Sequence, residues 1–200
     1  MFGLDMTLAA TMDSDARRIA LGLRQRNLVL LDALVEQYQY RLVRYLIYLL
    51  GRRDGVDDLV QETWLRVLER GSSYDGRSRF EPWLFTIARN LAIDHMRKRR
   101  TFSLDSNDDG ECDGVRLSPA STAPSPFTLA ARTEDAEVLA HSLQTLETSY
   151  REALVLRFQE DLSLQEISVV VGAPVSTIAS RIYRGIAMLR SQFEGGSHEI

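Results

Sequence analysis

The stretch from Ser103 to Ala130, "SLDSNDDGECDGVRLSPASTAPSPFTLA", constrains the fold more than any other. It carries Ser, Asp, Gly and Pro without apolar periodicity, the composition of a linker rather than of a packed element. On both sides of it apolar residues recur at spacings of three and four. A chain of 200 residues divided in this way makes two small modules rather than one large core. Only five prolines, with frequent Leu, Arg, Glu and Ala, favour helix in both. The expected fold is all-α: two small helical modules joined by a flexible acidic linker.

The periodicity sets the boundaries. Residues 1–26 are a loosely patterned leader, partly helical or disordered, with a helical turn around Ala16–Leu23. The first module is 27–101, the linker 102–132, the second module 133–194 and the tail 195–200. Leu31, Leu34, Val35, Tyr38, Leu42, Tyr45, Leu46 and Leu49 mark a long amphipathic helix that stops at Gly51. A second helix is expected over about 57–69. "GSSYDGRSR", 71–79, is a loop by its Gly and Ser content. Then comes "FEPWLFTIARNLAIDHMRKRR", Phe80–Arg100, with Pro82 in the first turn, where a missing N–H costs little. The second module is read as helices at about 134–147, 149–159, 163–171 and 175–193.

The net charge of −4 argues against nucleic acid only as an average. From Arg77 to Thr101 there are seven basic residues against two acids. From Val175 to Ser191 there are three arginines and no acid, whereas Ser103–Val138 holds eight acids and two arginines. Two basic patches separated by an acidic strip are more informative than the total. No run of about eighteen apolar residues is present, so no membrane insertion is expected. The single cysteine, Cys112, forms no internal disulfide, and a reducing cytoplasm is the expected compartment. His95, His141 and His198 are scattered, and no metal-ligand spacing, nucleophile motif or phosphate-cradling glycine loop occurs. Neither catalytic residues nor a metal or other cofactor is expected.

The segment "SLQEISVVVGAPVSTIASRIYRGIAMLR" reads as a helix-turn-helix. Ser163 and Glu166 have capping-box spacing, Gly172 suits the left-handed residue that ends a helix, and Pro174 stops its continuation. At about 100° per residue, Ile178, Ile182, Ile186 and Leu189 share one face of the following helix. Ser176, Thr177, Ser180, Arg181 and Arg184 share the other, a face of hydroxyls and guanidiniums suited to phosphates and base edges. In the Phe80–Arg100 helix the expected core face is Phe80, Leu84, Ile87, Ala88 and Leu91. Trp83, Asn90, Asp94 and Arg97 form a neighbouring stripe, and Phe85, Arg89 and Met96 are expected to point away from the core. With Arg77 and Arg79 in the preceding loop and Lys98 at the basic end, this combination suits single-stranded nucleic acid. Plainer readings stand beside it: Trp83 as a border core aromatic, Asn90 as a surface amide, and Asp94 as an ion-pair partner of Arg97 or Lys98.

"DDLVQETWLRVLER", "FEPWLFTIARNLAIDHMRKRR" and "YREALVLRFQEDLSLQEISVVVGAPVSTIASRIYRGIAMLR" together resemble bacterial sigma factors of the extracytoplasmic-function (ECF) group of the sigma-70 family. The resemblance covers roughly Leu31–Arg100 and Leu143–Phe193. It implies that the first module is region two and the second region four. It implies that Asp58, Gln61 and Glu62 dock on core RNA polymerase, although a solvated helix face is the plainer reading. It also implies that the 71–79 loop and the helix through Asn90 and Arg97 open and read the −10 element of promoter DNA, and that the 175–193 helix reads the −35 element. The further partner implied is an anti-sigma factor. There are departures: Ala179 stands where the family commonly has a basic residue, and "SVVV" puts a surface valine on the first helix of the motif. Two other classes compete: a sigma-like decoy that binds an anti-sigma factor, and a helix-turn-helix transcriptional regulator. The second leaves Asp57–Arg100 without a purpose.

Overall fold

The computed structural model describes residues 3–103 and 138–195. All regular structure among them is helical. The elements are α1 (Gly3–Arg24), α2 (Leu28–Leu50), α3 (Val56–Arg70), a short 3-10 turn (Gly71–Ser73) and α4 (Phe80–Ser103). Then follow α5 over 138–145, α6 (Thr148–Phe158), α7 (Leu164–Val171) and α8 (Val175–Gly195). The linker interior, Cys112 and His198 lie outside the described residues.

Local chemistry sets the helix ends. The Asn27 side chain accepts a hydrogen bond from the Leu30 N–H at 3.1 Å and starts α2. Gly51, at φ +72°, ends it in the left-handed conformation that a side chain resists. α7 begins with the capping box foreseen in the sequence: the Ser163 hydroxyl accepts from the Glu166 N–H, and the Glu166 carboxylate accepts from the Ser163 N–H at 2.8 Å. Gly172, at φ +68°, ends it, and α8 follows within three residues. Pro82 falls inside the first turn of α4.

α1 is part of the first module rather than a loose leader. Ala16, Ile19, Ala20 and Leu23 are buried, and the helix lies over the 71–79 loop. The approach is close: a Cβ on Gly76 would sit 2.9 Å from the Ala16 carbonyl oxygen.

The chief departure from expectation is in α4. Phe80, Leu84, Ile87 and Ala88 are buried as foreseen. Phe85, expected to point outward, is fully buried as well, edge-on to Tyr45 with ring centroids 5.1 Å apart. The reason is that α4 is covered on two sides, by α2 and α3 within its own module and by α7 of the other. α2 likewise packs against α6. The five residues Tyr45–Leu49 are all buried, and a helix buried around its whole circumference must be covered from more than one side. The two modules therefore share one continuous apolar cluster.

Within the second module α6, α7 and α8 pack on one another around Leu154, Leu156, Leu162, Ile167, Val170 and Ile178. Gly185 lets α8 approach α6 closely, since a Cβ there would lie 2.9 Å from Leu154 Cδ1.

Candidate nucleic-acid interface

The helix-turn-helix presents α8 with its apolar side inward. Ile178 is fully buried, and Ile182, Ile186 and Leu189 pack against the core. Ser176, Ser180 and Arg184 are exposed, while Thr177 and Arg181 lie half-buried at the margin of the face. Tyr183 was absent from the expected set, yet it is 78% exposed. At 3.6 residues per turn it falls between Ser176 and the exposed Arg190. Its signal in the sequence was position alone: a tyrosine off the isoleucine stripe has no core to enter. No acidic residue occurs from Val175 to Phe193, so the face is uniformly cationic and hydroxylic.

The second candidate surface runs along α4 and the loop before it. Trp83 is half-buried in an aromatic cluster with Tyr74 and Phe80, at centroid distances of 5.4 and 5.6 Å. It holds the 71–79 loop against the helix. The Tyr74 hydroxyl donates to the Ser78 carbonyl and is pushed up to about 12 by burial, then by Glu81 and Asp75. Asn90 is exposed about two helical turns from Arg97 and Lys98, both also exposed. Arg97 donates to Asp94 at 3.2 Å, the local pair foreseen as its plainer reading. Arg77 is exposed at the loop tip, with Asp75 3.7 Å away.

Arg79 behaves differently. Its guanidinium donates to the Asp161 carbonyl of the second module at 3.2 Å and lies 3.3 Å from Glu81 and 3.8 Å from Glu166. Glu81 is a node: it accepts from the Tyr38 hydroxyl at 3.1 Å and lies 3.7 Å from Arg41. Burial pushes the Glu81 carboxyl up. Backbone hydrogen bonds, then Arg79 and Arg41, more than offset this and hold it below the ordinary range.

The third surface is the outer face of α3. Asp58 and Gln61 are exposed, and Glu62 pairs with Arg66 at 3.0 Å. Leu65 lies on the same stripe, 47% exposed, an apolar side chain framed by acids that the sequence reading passed over. Helix positions 58, 61, 62 and 65 share one face by the three- and four-residue rule.

Among the described residues no group of three or more His, Cys, Asp or Glu side chains could hold a metal ion. No described helix is long and apolar enough to cross a membrane.

Comparison with known proteins decides the family. Residues 34–102 match Sigma-70 region 2, and residues 136–189 match Sigma-70, region 4. The chain belongs to the ECF sigma factors. It is 30% identical over 162 residues to the ECF RNA polymerase sigma factor SigW of Bacillus subtilis (strain 168), covering 80% of this chain and 86% of that one. It is 31% identical over 182 residues to SigC of Mycobacterium tuberculosis (strain CDC 1551 / Oshkosh), covering 90% and 91%. Among solved structures, sigma factor RpoE in complex with the anti-sigma factor NepR from Bartonella quintana matches at a TM-score of 0.62 and 27% identity, over 86% of this chain and 96% of that one. CnrH in complex with the cytosolic domain of CnrY matches at 0.62 and 25%, over 90% and 97%. Region two is thus carried by α2–α4 and region four by α5–α8.

Proposed function

We propose that this ECF sigma factor binds core RNA polymerase and directs initiation at particular promoters. Region two reads and melts the −10 element, and region four reads the −35 element. The observation that carries the reading is the exposed, acid-free face of α8, set on a capped helix-turn-helix. Ser176, Thr177, Ser180, Arg181 and Arg184, with Tyr183, meet the major groove of the upstream element. Arg77, Arg79, Trp83, Asn90, Arg97 and Lys98 serve the downstream element. Asn90 offers the amide that reads a base edge, and the basic end of α4 takes phosphates. The α3 stripe of Asp58, Gln61, Glu62 and Leu65 docks on polymerase. An anti-sigma factor controls the protein, in keeping with the two structurally similar proteins, both solved in such pairings or with a cytosolic partner domain.

The mechanism uses binding rather than covalent chemistry. Polymerase holds the two modules at promoter spacing, so that each weak contact raises the effective concentration of the other. Capture of an unstacked base then offsets an unstacking cost of roughly a few kcal/mol. The test is transcription in vitro with purified core polymerase and a promoter library. Promoter-specific transcripts support the reading. No transcript, with retained binding to an anti-sigma factor, would make the protein a decoy.

A further inference from the structure

Beside the shared apolar cluster, the contact between the modules carries buried charge. Glu160, buried at the end of α6, accepts from Arg41 Nε at 2.7 Å and from Arg44 Nη2 at 2.9 Å, both on α2. Glu152, buried on α6, accepts from Arg89 Nε of α4 at 2.7 Å and from the Tyr45 hydroxyl of α2 at 2.9 Å. The Arg41 guanidinium lies 5.8 Å from the Phe85 ring centroid, and that ring meets Tyr45. The three arginines are therefore linked through the Phe85–Tyr45 pair on the side of region two that meets region four. The two carboxylates closest to them, Glu152 and Glu160, come from region four; Glu81 of region two lies 3.7 Å from Arg41.

The charged part of the seam is poised rather than tight. A buried ion pair roughly breaks even against its own desolvation, whereas an apolar seam of the same shape would hold more firmly. Arg44 Nε and Arg79 Nε are moreover buried in it without a hydrogen-bond partner. Arg41 and Arg44 keep 25% and 24% exposure, so water reaches them as soon as the seam parts.

The closed arrangement is also too short for the proposed task. A compact chain of this length has a radius of gyration of about 17 Å. Promoter elements about 25 base pairs apart, at about 3.4 Å each, lie roughly 85 Å from one another. The 104–137 segment can reach at most roughly 110 Å, enough to allow separation.

We propose that Glu152 and Glu160 act as an internal phosphate mimic: they latch region four onto Arg41, Arg44 and Arg89, and opening the latch frees these arginines as a binding site for backbone phosphates of duplex DNA. The closed protein is the resting state. The reading Arg79 is tied up in the same seam through Asp161 and Glu166. The latch itself stands apart from promoter reading; only its biological use rests on the proposed function.

The test uses the full-length protein without polymerase. Small-angle scattering is measured for the wild type and for Glu152→Gln/Glu160→Gln, with far-UV circular dichroism to confirm helix content. The double variant is expected to show a larger radius of gyration. The charge swap Arg41→Glu/Arg44→Glu/Glu160→Arg is expected to return it towards the wild-type value. Should the carboxylate variant unfold, Arg41→Gln/Arg44→Gln makes the same test from the other side. Affinity for a fluorescent duplex of arbitrary sequence is expected to rise about tenfold on opening, the reciprocal of an open fraction of about a tenth. The slope of log affinity against log salt is expected to steepen by about 2.7, for three phosphates. Adding Arg41→Gln/Arg44→Gln/Arg89→Gln should abolish both gains. A wild type already extended, or a charge swap that stays open, overturns the latch. An opened variant with no gain in DNA affinity overturns the phosphate site. Promoter-specific transcription, run in parallel, separates either failure from failure of the sigma reading.

Discussion

Asn90 and Arg184 sit on different helices, and each is exposed with its backbone fixed by a buried neighbour on the same helix. That separates their proposed recognition roles from folding and makes both residues clean to test. Asn90→Ala is expected to flatten base preference at one downstream position while leaving polymerase binding intact, as read by transcription from all four base variants. Arg184→Ala is expected to weaken use of the upstream element, with discrimination falling by about 1–3 kcal/mol if the contact is bidentate to a base. Equal use of upstream variants by wild type and Arg184→Ala would remove Arg184 from the reading face. A third residue offers a titration. His95 packs over Gly55, and burial, then Arg52 and Arg99, push its imidazole below the ordinary value. Its NMR midpoint is therefore expected below about 6.5. The sign follows: the fold favours neutral His95, so its contribution is full above that pH and is lost as the pH falls through it. A midpoint at or above the ordinary value would contradict the assigned surroundings.

At the scale of elements, the helix ends were the most legible part of the chain. Gly51, Ser163 with Glu166, and Gly172 are local signals, and each does the work its type implies. Ser163→Ala is expected to destabilise the protein by about 1 kcal/mol in urea unfolding, because one cap is lost at α7. The face of α8 was legible for the same reason, since isoleucines at helical spacing admit only one inward side. The second buried side of α4 was not. A single-face reading placed Phe85 outside because it lies off the Leu84–Ala88 stripe. The covering helix comes from a segment more than 60 residues later, and no local pattern carries that. One clue was available: "YLIYLL" at the end of α2 is apolar all round, more than one covering face can use. The residues proposed to face the promoter were suggested chiefly by family resemblance, because an exposed Asn or Arg has no periodic signature of its own.

For the molecule as a whole, the decisive fact is that two modules identifiable separately in sequence share one core. Their unfolding is expected to be coupled. Both tryptophans, Trp64 and Trp83, belong to region two, whereas far-UV dichroism reports every helix. The two probes should therefore give coincident thermal transitions in the wild type. Phe85→Ala removes a fully buried aromatic at the junction, a loss of about 3–5 kcal/mol. It should also separate the two transitions. Coincident curves in the variant would mean that Phe85 belongs to the region-two core alone. Buried Glu152 and Glu160 were invisible in the sequence, because an acid on a helix or just past its end ordinarily faces water.

The close approach at Gly185 reaches beyond stability. With α8 held against Leu154 from behind, its outward side chains can change without moving the backbone that carries them. Promoter choice in such a protein can drift, or be rewritten by a designer, one surface residue at a time. Duplicate copies of the gene could diverge into separate regulatory circuits while keeping the same scaffold.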